Sequence, residues 1–377
     1  MNTSVWESLF SGFLNFSWQG AVMILVGLLL LWLAIKKEYE PLLLLPIGMG
    51  CILANLPLSM MVGTPEEPGM LQVFYDVGVA NELFPLLIFI GIGAMTDFGP
   101  LLENPKMVLL GAAGQFGIFL TLILALLLGF SRPEAASIAI IGAIDGPTSI
   151  YVSAQLAPQL LGPITVAAYS YMSLVPIIMP PIMRLLTTKK ERQIKMAYSS
   201  REISQRTRIL FPIIVTIVVG ILVPFALPLI GSLMLGNLMR ESKVVQRLTG
   251  AAENELNNVV TMFLGLAIGS TMVGESFIKP STLMILVLGL IAFCLDTACG
   301  VLFGKIMNLF SGGKFNPLIG AAGISAFPMA ARVVQREVTR EDNSNFVLMH
   351  AMGANAAGQV ASAMAGGVML ALMSGAV

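Results

Sequence analysis

Asp145 is the residue whose type and setting most directly suggest chemistry. It lies in the segment Gly142-Ala143-Ile144-Asp145-Gly146-Pro147-Thr148-Ser149, between apolar stretches. Glycine and proline, here Gly146 and Pro147, suit a chain that reverses inside a membrane, where backbone freed from a helix must be buried in protein or line a wet cavity. A carboxylate there costs about 2.5 to 3.5 kcal/mol on insertion scales, which marks an ion or proton path by default. A structural hydrogen bond to a neighbouring helix is the alternative.

Three further polar side chains in apolar sequence could complete an ion site. A hard cation such as Na+ requires several oxygen ligands, and Asp145 with Asn316, Ser325 and Asn355 could supply them. A protonated aspartic acid without a metal is the alternative. Asn355 also lies in a small-residue stretch, 352–358, of the kind that brings two helices into close contact.

Other candidates for chemistry have simpler explanations beside the functional ones. Tyr169 and Tyr171 could donate a proton, although packing accounts for both. Asp296 and His350, the single histidine, lie inside long apolar runs and are candidate proton carriers. Arg332 could hold a carboxylate bidentately, or it could serve only as a basic anchor on the cytoplasmic side.

The composition indicates that these residues are held by membrane helices. The chain has 377 residues, of which 56% are hydrophobic and 11% charged, against about 25% charged in soluble domains. Basic and acidic residues are equal at 21 each, which gives no indication of a nucleic-acid partner. The three cysteines lack the spacing of a zinc site or a disulfide framework. We therefore expect one multi-pass membrane domain, 1–377.

Apolar runs long enough to cross a bilayer recur along the chain. They lie at about 20–35, 41–62, 84–98, 107–130, 161–186, 208–230, 257–273, 281–306 and 344–374, with a shorter run near 226–239. The stretch 6–18, with a tryptophan at each end, is typical of a helix lying in the headgroup region, and an extracellular tail is the alternative.

Charge placement orients these crossings. Eight of the 21 basic residues fall between Arg184 and Arg208, so the basic loop 187–207 is cytoplasmic, whereas no basic residue lies between Lys37 and Lys106. Counting crossings between these fixed points leaves 134–158 starting and ending outside. That segment is therefore predicted to be a re-entrant hairpin with Asp145 at its tip.

An internal repeat predicts a second hairpin. Motifs of the region 84–186, such as Ile141-Gly142-Ala143, recur at nearly constant spacing in 257–374, as Ile319-Gly320-Ala321. Basic residues place both ends of the second hairpin, 314–332, inside. The predicted fold is therefore an all-α polytopic membrane protein with inverted repeats and two re-entrant hairpins, an architecture typical of secondary transporters.

The combined motifs are specific to one family. The residues Gly142 to Tyr151, Tyr169-Ser170-Tyr171-Met172, Asn316 to Arg332 and Met352-Gly353-Ala354-Asn355 resemble the beta subunit of sodium-pumping biotin-dependent decarboxylases, which act on oxaloacetate, methylmalonyl-CoA or glutaconyl-CoA. The resemblance implies that decarboxylation of carboxybiotin on a carrier subunit is coupled to Na+ export with consumption of a proton. A sodium-coupled transporter or Na+/H+ exchanger of the same architecture is the alternative.

The resemblance also implies residue roles. Asp145 would be the sodium carboxylate, with Asn316, Ser325 and Asn355 as further ligands. Tyr171 would handle protons, Gly320 would keep the second hairpin closely packed, and Arg332 would face the carboxybiotin.

The same resemblance implies partners and a location. The expected partners are a carboxyltransferase alpha subunit, a biotin carrier subunit and a small single-span membrane subunit, and the chain could also form a homo-oligomer. The expected location is the inner membrane of a bacterium.

Overall fold

The described part of the chain is helical throughout. The computed structural model describes residues 11–38, 41–58, 60–64, 67–197, 203–373 and 375, and within them no strand occurs, only an isolated bridge between Gly63 and Pro68. This confirms the predicted all-α class. The predicted headgroup helix at 6–18 lies partly outside the described residues, whose first helix is Ser11–Leu14.

Fourteen helices in the described residues carry the fold. They are α1 Trp18–Lys37, α2 Pro41–Asn55, α3 Leu83–Met95, α4 Met107–Ala113, α5 Phe116–Leu127, α6 Arg132–Ala139, α7 Gly146–Leu156, α8 Leu161–Leu186, α9 Gln205–Leu222, α10 Leu227–Ser242, α11 Asn257–Ser270, α12 Pro280–Phe310, α13 Met329–Glu341 and α14 Leu348–Met373. Shorter helices lie at Met70–Phe74, Gly99–Glu103, Lys189–Arg192, Gln246–Ala251 and Gly274–Phe277.

Six stretches of the described chain are long and apolar enough to cross a membrane. They are Trp18–Lys37, Met107–Leu127, Pro158–Leu186, Gln205–Leu222, Pro280–Phe310 and Leu348–Met373, and the bent pair Met70–Ala80 and Leu83–Met95, at 61°, makes a seventh if counted as one span. These spans match the predicted apolar runs and confirm a multi-pass membrane protein. The run predicted at 41–62 is shorter as a helix, since α2 ends at Asn55.

The peripheral helix α1 shows how lipid shapes these elements. Ser17 caps its first turn by accepting a hydrogen bond from the Gly20 N–H, and Lys36 and Lys37 complete its last turn. Leu25 is 65% exposed, as expected of a face turned to lipid. The buried Gly27 instead lets α1 approach α2 closely, because a Cβ there would lie 2.8 Å from the Gly48 carbonyl oxygen.

Both segments predicted to be hairpins are broken helices. In the first, α6 leads into a 3₁₀ turn, Ile140–Ala143, and the chain resumes as α7. In the second, a 3₁₀ turn, Pro317–Gly323, passes through extended backbone at Ile324 before α13 begins. Residues 140–153 and 315–326 are buried throughout. Their re-entrant course and their inverted relation stay predictions.

A third break lies against the second broken segment. The run predicted to be one helix at 107–130 is interrupted at Gly114 and Gln115, between α4 and α5. A Cβ at Gly114 would lie 2.6 Å from the Gly323 carbonyl oxygen, and Gln115 Nε2 donates to the same oxygen at 3.2 Å. The tip of the second segment therefore packs against this break.

Candidate functional site

Asp145 lies at the break of the first segment, where it caps α7. Its Oδ1 accepts from the backbone N–H of Thr148 at 3.3 Å, and its Oδ2 accepts from the Thr148 hydroxyl at 2.8 Å. The side chain is 3% exposed. Helix N-termini stabilise negative charge because their first N–H groups have no partner within the helix, so the local sequence places a carboxylate where an anion is favoured.

The backbone before Asp145 is strained. Ile144 has a φ of 53°, which a β-branched residue rarely adopts, and it is fully buried. Such a conformation costs on the order of 1–3 kcal/mol and persists only where the surroundings impose it, often at functional sites. Here the strain turns the chain from the 3₁₀ turn so that the side chain of Asp145 faces α14.

Helix α14 reaches the carboxylate with Ser362. The Ser362 hydroxyl donates to Asp145 Oδ2 at 2.8 Å, so this oxygen accepts from two hydroxyls, one on each helix. Both residues are buried. Hydrogen bonds to a charged acceptor are shorter and stronger than neutral ones, and this arrangement fits a carboxylate held for a ligand.

The first tip, residues 140–146, and the second tip, residues 320–325, touch directly through Ser325. Its backbone N–H donates to the Ala143 carbonyl at 3.1 Å, and its hydroxyl donates to the Gly358 carbonyl on α14 at 2.9 Å. Ser325 is therefore held between the first tip and α14.

Two amides of α14 hold the second tip in place. Asn355 Nδ2 donates to the carbonyls of Ala322 at 3.1 Å and Ile324 at 2.7 Å, and Gln359 Nε2 donates to the Ser325 carbonyl. Asn355, Gln359 and Ser362 follow one another at intervals of four and three residues, which places them on one face of α14. One helix face thus binds both tips.

Buried oxygens around this junction have no hydrogen-bond donor among the described residues. They include Asn355 Oδ1, Gln359 Oε1 and the Tyr169 hydroxyl. The Tyr169 ring lies on the first tip, since a Cβ at Gly146 would lie 2.2 Å from its Cζ. Buried oxygens without donors are costly in a dry interior, but they are suitable ligands for a hard cation beside a carboxylate.

Asn316 takes part in a different set of contacts. Its Nδ2 donates to the carbonyls of Arg192 and Ile194, both at 3.0 Å, and its Oδ1 accepts from the Leu318 N–H at 3.1 Å. It therefore caps the 3₁₀ turn of the second segment and ties it to the basic loop. Its predicted role as a sodium ligand stays a prediction.

Tyr171 faces α12 rather than the first tip. Its hydroxyl donates to the Leu286 carbonyl, and a Cβ at Gly289 would lie 2.9 Å from its ring. The residue is 8% exposed. Its predicted role in proton handling stays a prediction.

The face bearing Arg332 belongs to α13. Arg332, Arg336 and Arg340 recur every four residues on α13 and are exposed, whereas Val333 and Val334 are buried. The same helix is fixed to α8 by a bidentate pair, in which Arg184 Nε and Nη2 each lie 2.6 Å from a carboxylate oxygen of Glu337. A rigid helix therefore presents a row of guanidinium groups to solvent.

Sequence reasoning missed Thr148, Gln359 and Ser362. Each had a signal: Thr148 is three residues after the aspartate that opens α7, the position that meets an N-cap side chain. Gln359 and Ser362 share the helical spacing of Asn355 within a small-residue stretch. The contact between the two tips has no counterpart in local sequence, because it joins residues 182 positions apart.

Comparison with known proteins supports the family that the sequence motifs suggest. The family model described as the Na+-transporting oxaloacetate decarboxylase beta subunit matches residues 19–373. The chain is 55% identical to the glutaconyl-CoA decarboxylase subunit beta of Acidaminococcus fermentans, over 97% of this chain and 96% of that one. It is 55% identical to the methylmalonyl-CoA decarboxylase subunit beta of Veillonella parvula, over 97% and 96%. It is 50% identical to the oxaloacetate decarboxylase beta chain of Klebsiella pneumoniae, over 93% and 94%.

These matches span nearly the whole chain, including both tips and the α14 face that binds them. They favour a decarboxylase component of the bacterial inner membrane over a free-standing solute carrier, and they describe one subunit of a larger complex. The chain belongs to the family of Na+-transporting decarboxylase beta subunits.

Proposed function

We propose that Na+ crosses the membrane by way of Asp145, at the junction of the two tips and α14. The observation that carries this proposal is a buried carboxylate, held by Thr148 and Ser362, near buried oxygens that lack donors. Asp145 would neutralise the ion, and Asn355 Oδ1 and Ser325 would contribute further oxygens. Gln359 Oε1 joins the proposed ligands because its Nε2 is held by the backbone of Ser325.

The site suits a monovalent cation. A single carboxylate beside amide and hydroxyl oxygens gives a net charge of about −1, which one Na+ neutralises in a medium where bare charges are costly. Between residues 11 and 375 as the structure describes them, no cluster of three His, Cys, Asp or Glu side chains suited to a divalent or transition metal occurs. Because the matching family is Na+-transporting, we propose Na+ as the ion and Asp145 as its counter-charge.

We propose that Arg332 is where carboxybiotin on a carrier subunit meets this chain. Its exposed guanidinium on a fixed helix can bind a carboxylate through two parallel hydrogen bonds. Carboxybiotin releases CO₂ when its ring nitrogen receives a proton. Tyr171 is the proposed proton-handling group, and Tyr169, whose ring lies on Gly146, is the tyrosine nearer the first tip.

The proposed complex includes the partners that the family resemblance implies: a carboxyltransferase alpha subunit, a biotin carrier subunit and a small single-span subunit. The acid or CoA ester would be recognised on those subunits, since the relatives that match this chain carry the names of three different substrates.

The test is Na+-dependent decarboxylation by the purified complex, together with ²²Na+ uptake into vesicles containing it. Asp145→Asn should remove both while the subunits stay assembled. Uptake of ²²Na+ that continues in the absence of the decarboxylation substrate would instead support the transporter alternative. Retention of both activities in Asp145→Asn would exclude Asp145 as the ion site.

A further inference from the structure

A second buried carboxyl group, Asp296, lies on α12 outside the site described above. It is fully buried. Its Oδ1 accepts from the backbone N–H of Gly117. This is a first-turn amide of α5, shortly after the break at Gly114 and Gln115, so Asp296 caps a helix end that the break exposes.

The other oxygen of Asp296 faces the first tip. Oδ2 has no hydrogen-bond donor among the described residues. A Cβ at Gly142 would lie 2.6 Å from this oxygen and 2.9 Å from Ala292 Cβ. Asp296 Oδ2 is therefore in close contact with the 3₁₀ turn Ile140–Ala143, two residues before Asp145.

No basic side chain compensates this carboxyl group. Within α4, α5 and the 3₁₀ turns Ile140–Ala143 and Pro317–Gly323 there is no Lys, Arg or His. The titratable groups of the remaining elements packed on α12 are Cys294, Cys299 and Lys305 on α12 itself, Arg132 and Glu134 at the start of α6, and Tyr169, Tyr171 and Arg184 on α8. Lys305 lies 3.4 Å from Glu191 and Arg184 pairs with Glu337, so both cations are occupied elsewhere.

If Asp296 were ionised, its Oδ2 would be a buried charged oxygen with neither a hydrogen-bond donor nor a counter-ion. Burying such an unpaired charge costs several kcal/mol. A cation on Oδ2 would need space on the side of Gly142, where even a methyl group does not fit. A proton needs no such space, and a protonated carboxyl group carries no charge that needs a counter-ion.

We propose that Asp296 is a proton-binding carboxyl group whose protonation is linked to the ion occupancy of Asp145 through the turn Ile140–Ala143. Binding at Asp145 reorganises the tip, and any displacement of Gly142 changes the contact with Asp296 Oδ2. The two sites then influence each other reciprocally. The linkage rests on the proposed sodium site; the proton on Asp296 does not.

The test is infrared spectroscopy of the purified complex, with absolute spectra of each variant recorded at neutral pH in buffers with and without Na+. The wild-type complex should show the carbonyl stretch of a protonated carboxyl group that changes when Na+ is added. Asp296→Asn should remove this band. Gly142→Ala, which keeps every carboxyl group, should shift it. The control Asp342→Asn, at a partly exposed carboxylate far along the chain from both sites, should leave it unchanged.

Each result decides between the two proposals. Persistence of the band in Asp296→Asn, or no shift in Gly142→Ala where Asp296→Asn fails to assemble, would overturn the assignment of the proton. A wild-type band that ignores Na+ would overturn the linkage. In Asp145→Asn the band should persist without its Na+ response; a response that survives would refute Asp145 as the sodium site while leaving the proton on Asp296 in place.

Discussion

The two broken segments form their tips in different ways. The first tip carries a charge: Asp145 opens α7 and binds the amide and hydroxyl of its own first turn. The second carries none, since the residues from Gly320 to Ser325 are small or apolar except for the serine hydroxyl. Its carbonyls at Ala322, Ile324 and Ser325 are instead bound by amides of α14.

The difference indicates that the two tips have different roles in binding an ion. One carboxylate supplies the counter-charge of a monovalent ion. A second carboxylate would repel the first and would raise the free-energy cost of the site without its ion. The second tip can then contribute shape and neutral oxygens, and its carbonyls are held by the amides of Asn355 and Gln359 on α14. Both tips depend on the single face of α14 that bears Asn355, Gln359 and Ser362.

The largest effect is expected from removing the charge. Asp145→Asn keeps the shape of the side chain and one oxygen that can accept from Thr148, but it removes the counter-charge for Na+. We expect Na+ affinity to fall by more than the ~10–100-fold typical of losing a group that only supports a ligand. Isothermal titration with NaCl measures it. Unchanged affinity would mean that the charge on the first tip does not contribute to Na+ binding.

Next in size is the packing of the second tip. A Cβ at Gly320 would lie 1.9 Å from the Gly300 carbonyl oxygen, and backbone cannot move away cheaply. Gly320→Ala should lower stability by about 1–3 kcal/mol or more, the cost of overpacking a core. Thermal unfolding of the purified complex measures this.

The control for that change is Gly250→Ala, also in a helix, where a Cβ would meet nothing within 4 Å. It should leave the melting temperature unchanged or raise it slightly, because alanine favours helices. Equal losses in the two variants would show that Gly320 has no special packing role.

A smaller effect is expected at the support of the first tip. Ser362→Ala removes one of the two hydroxyls that donate to Asp145 Oδ2, and supporting partners of this kind change metal affinity by ~10–100-fold. Na+ affinity should fall while assembly is maintained.

The matched control is Thr216→Ala on α9, whose hydroxyl donates only to the Pro212 carbonyl of its own helix at 2.8 Å. It should bind Na+ normally. If Ser362→Ala also bound Na+ normally, Thr148 alone would be sufficient to hold the carboxylate.

A feature of the fold or the site could be predicted from sequence when the interactions behind it are local in the chain. The spans, the two breaks and Asp145 could be predicted because hydropathy, Gly–Pro content and charge are local properties. The contact of Ser325 with Ala143 could not, because backbone partners leave no sequence pattern. Asn316 was grouped with Asp145 by residue type, whereas its contacts place it as a cap near residues 192 and 194.

The smallest effect concerns the end of α13, where the second segment returns to the basic loop. The pKa of the Asp342 carboxyl group is lowered by hydrogen bonds from the Ser344 hydroxyl and N–H, and by Lys195, whose Nζ lies 3.2 Å away. A lowered pKa stabilises the folded state above the unfolded pKa of about 3.9, and this contribution is lost as the pH falls through the lower folded value.

Because Asp342 is partly exposed to solvent, the contribution is small and screened by salt. Asp342→Asn should therefore lower the melting temperature slightly at neutral pH, and the difference from wild type should vanish in acid and shrink in high salt. A difference that grew as the pH fell would have the wrong sign for a carboxylate bound by donors. Asp145→Asn and Asp342→Asn thus separate a charge kept for an ion from one that only fastens the second segment to its loop.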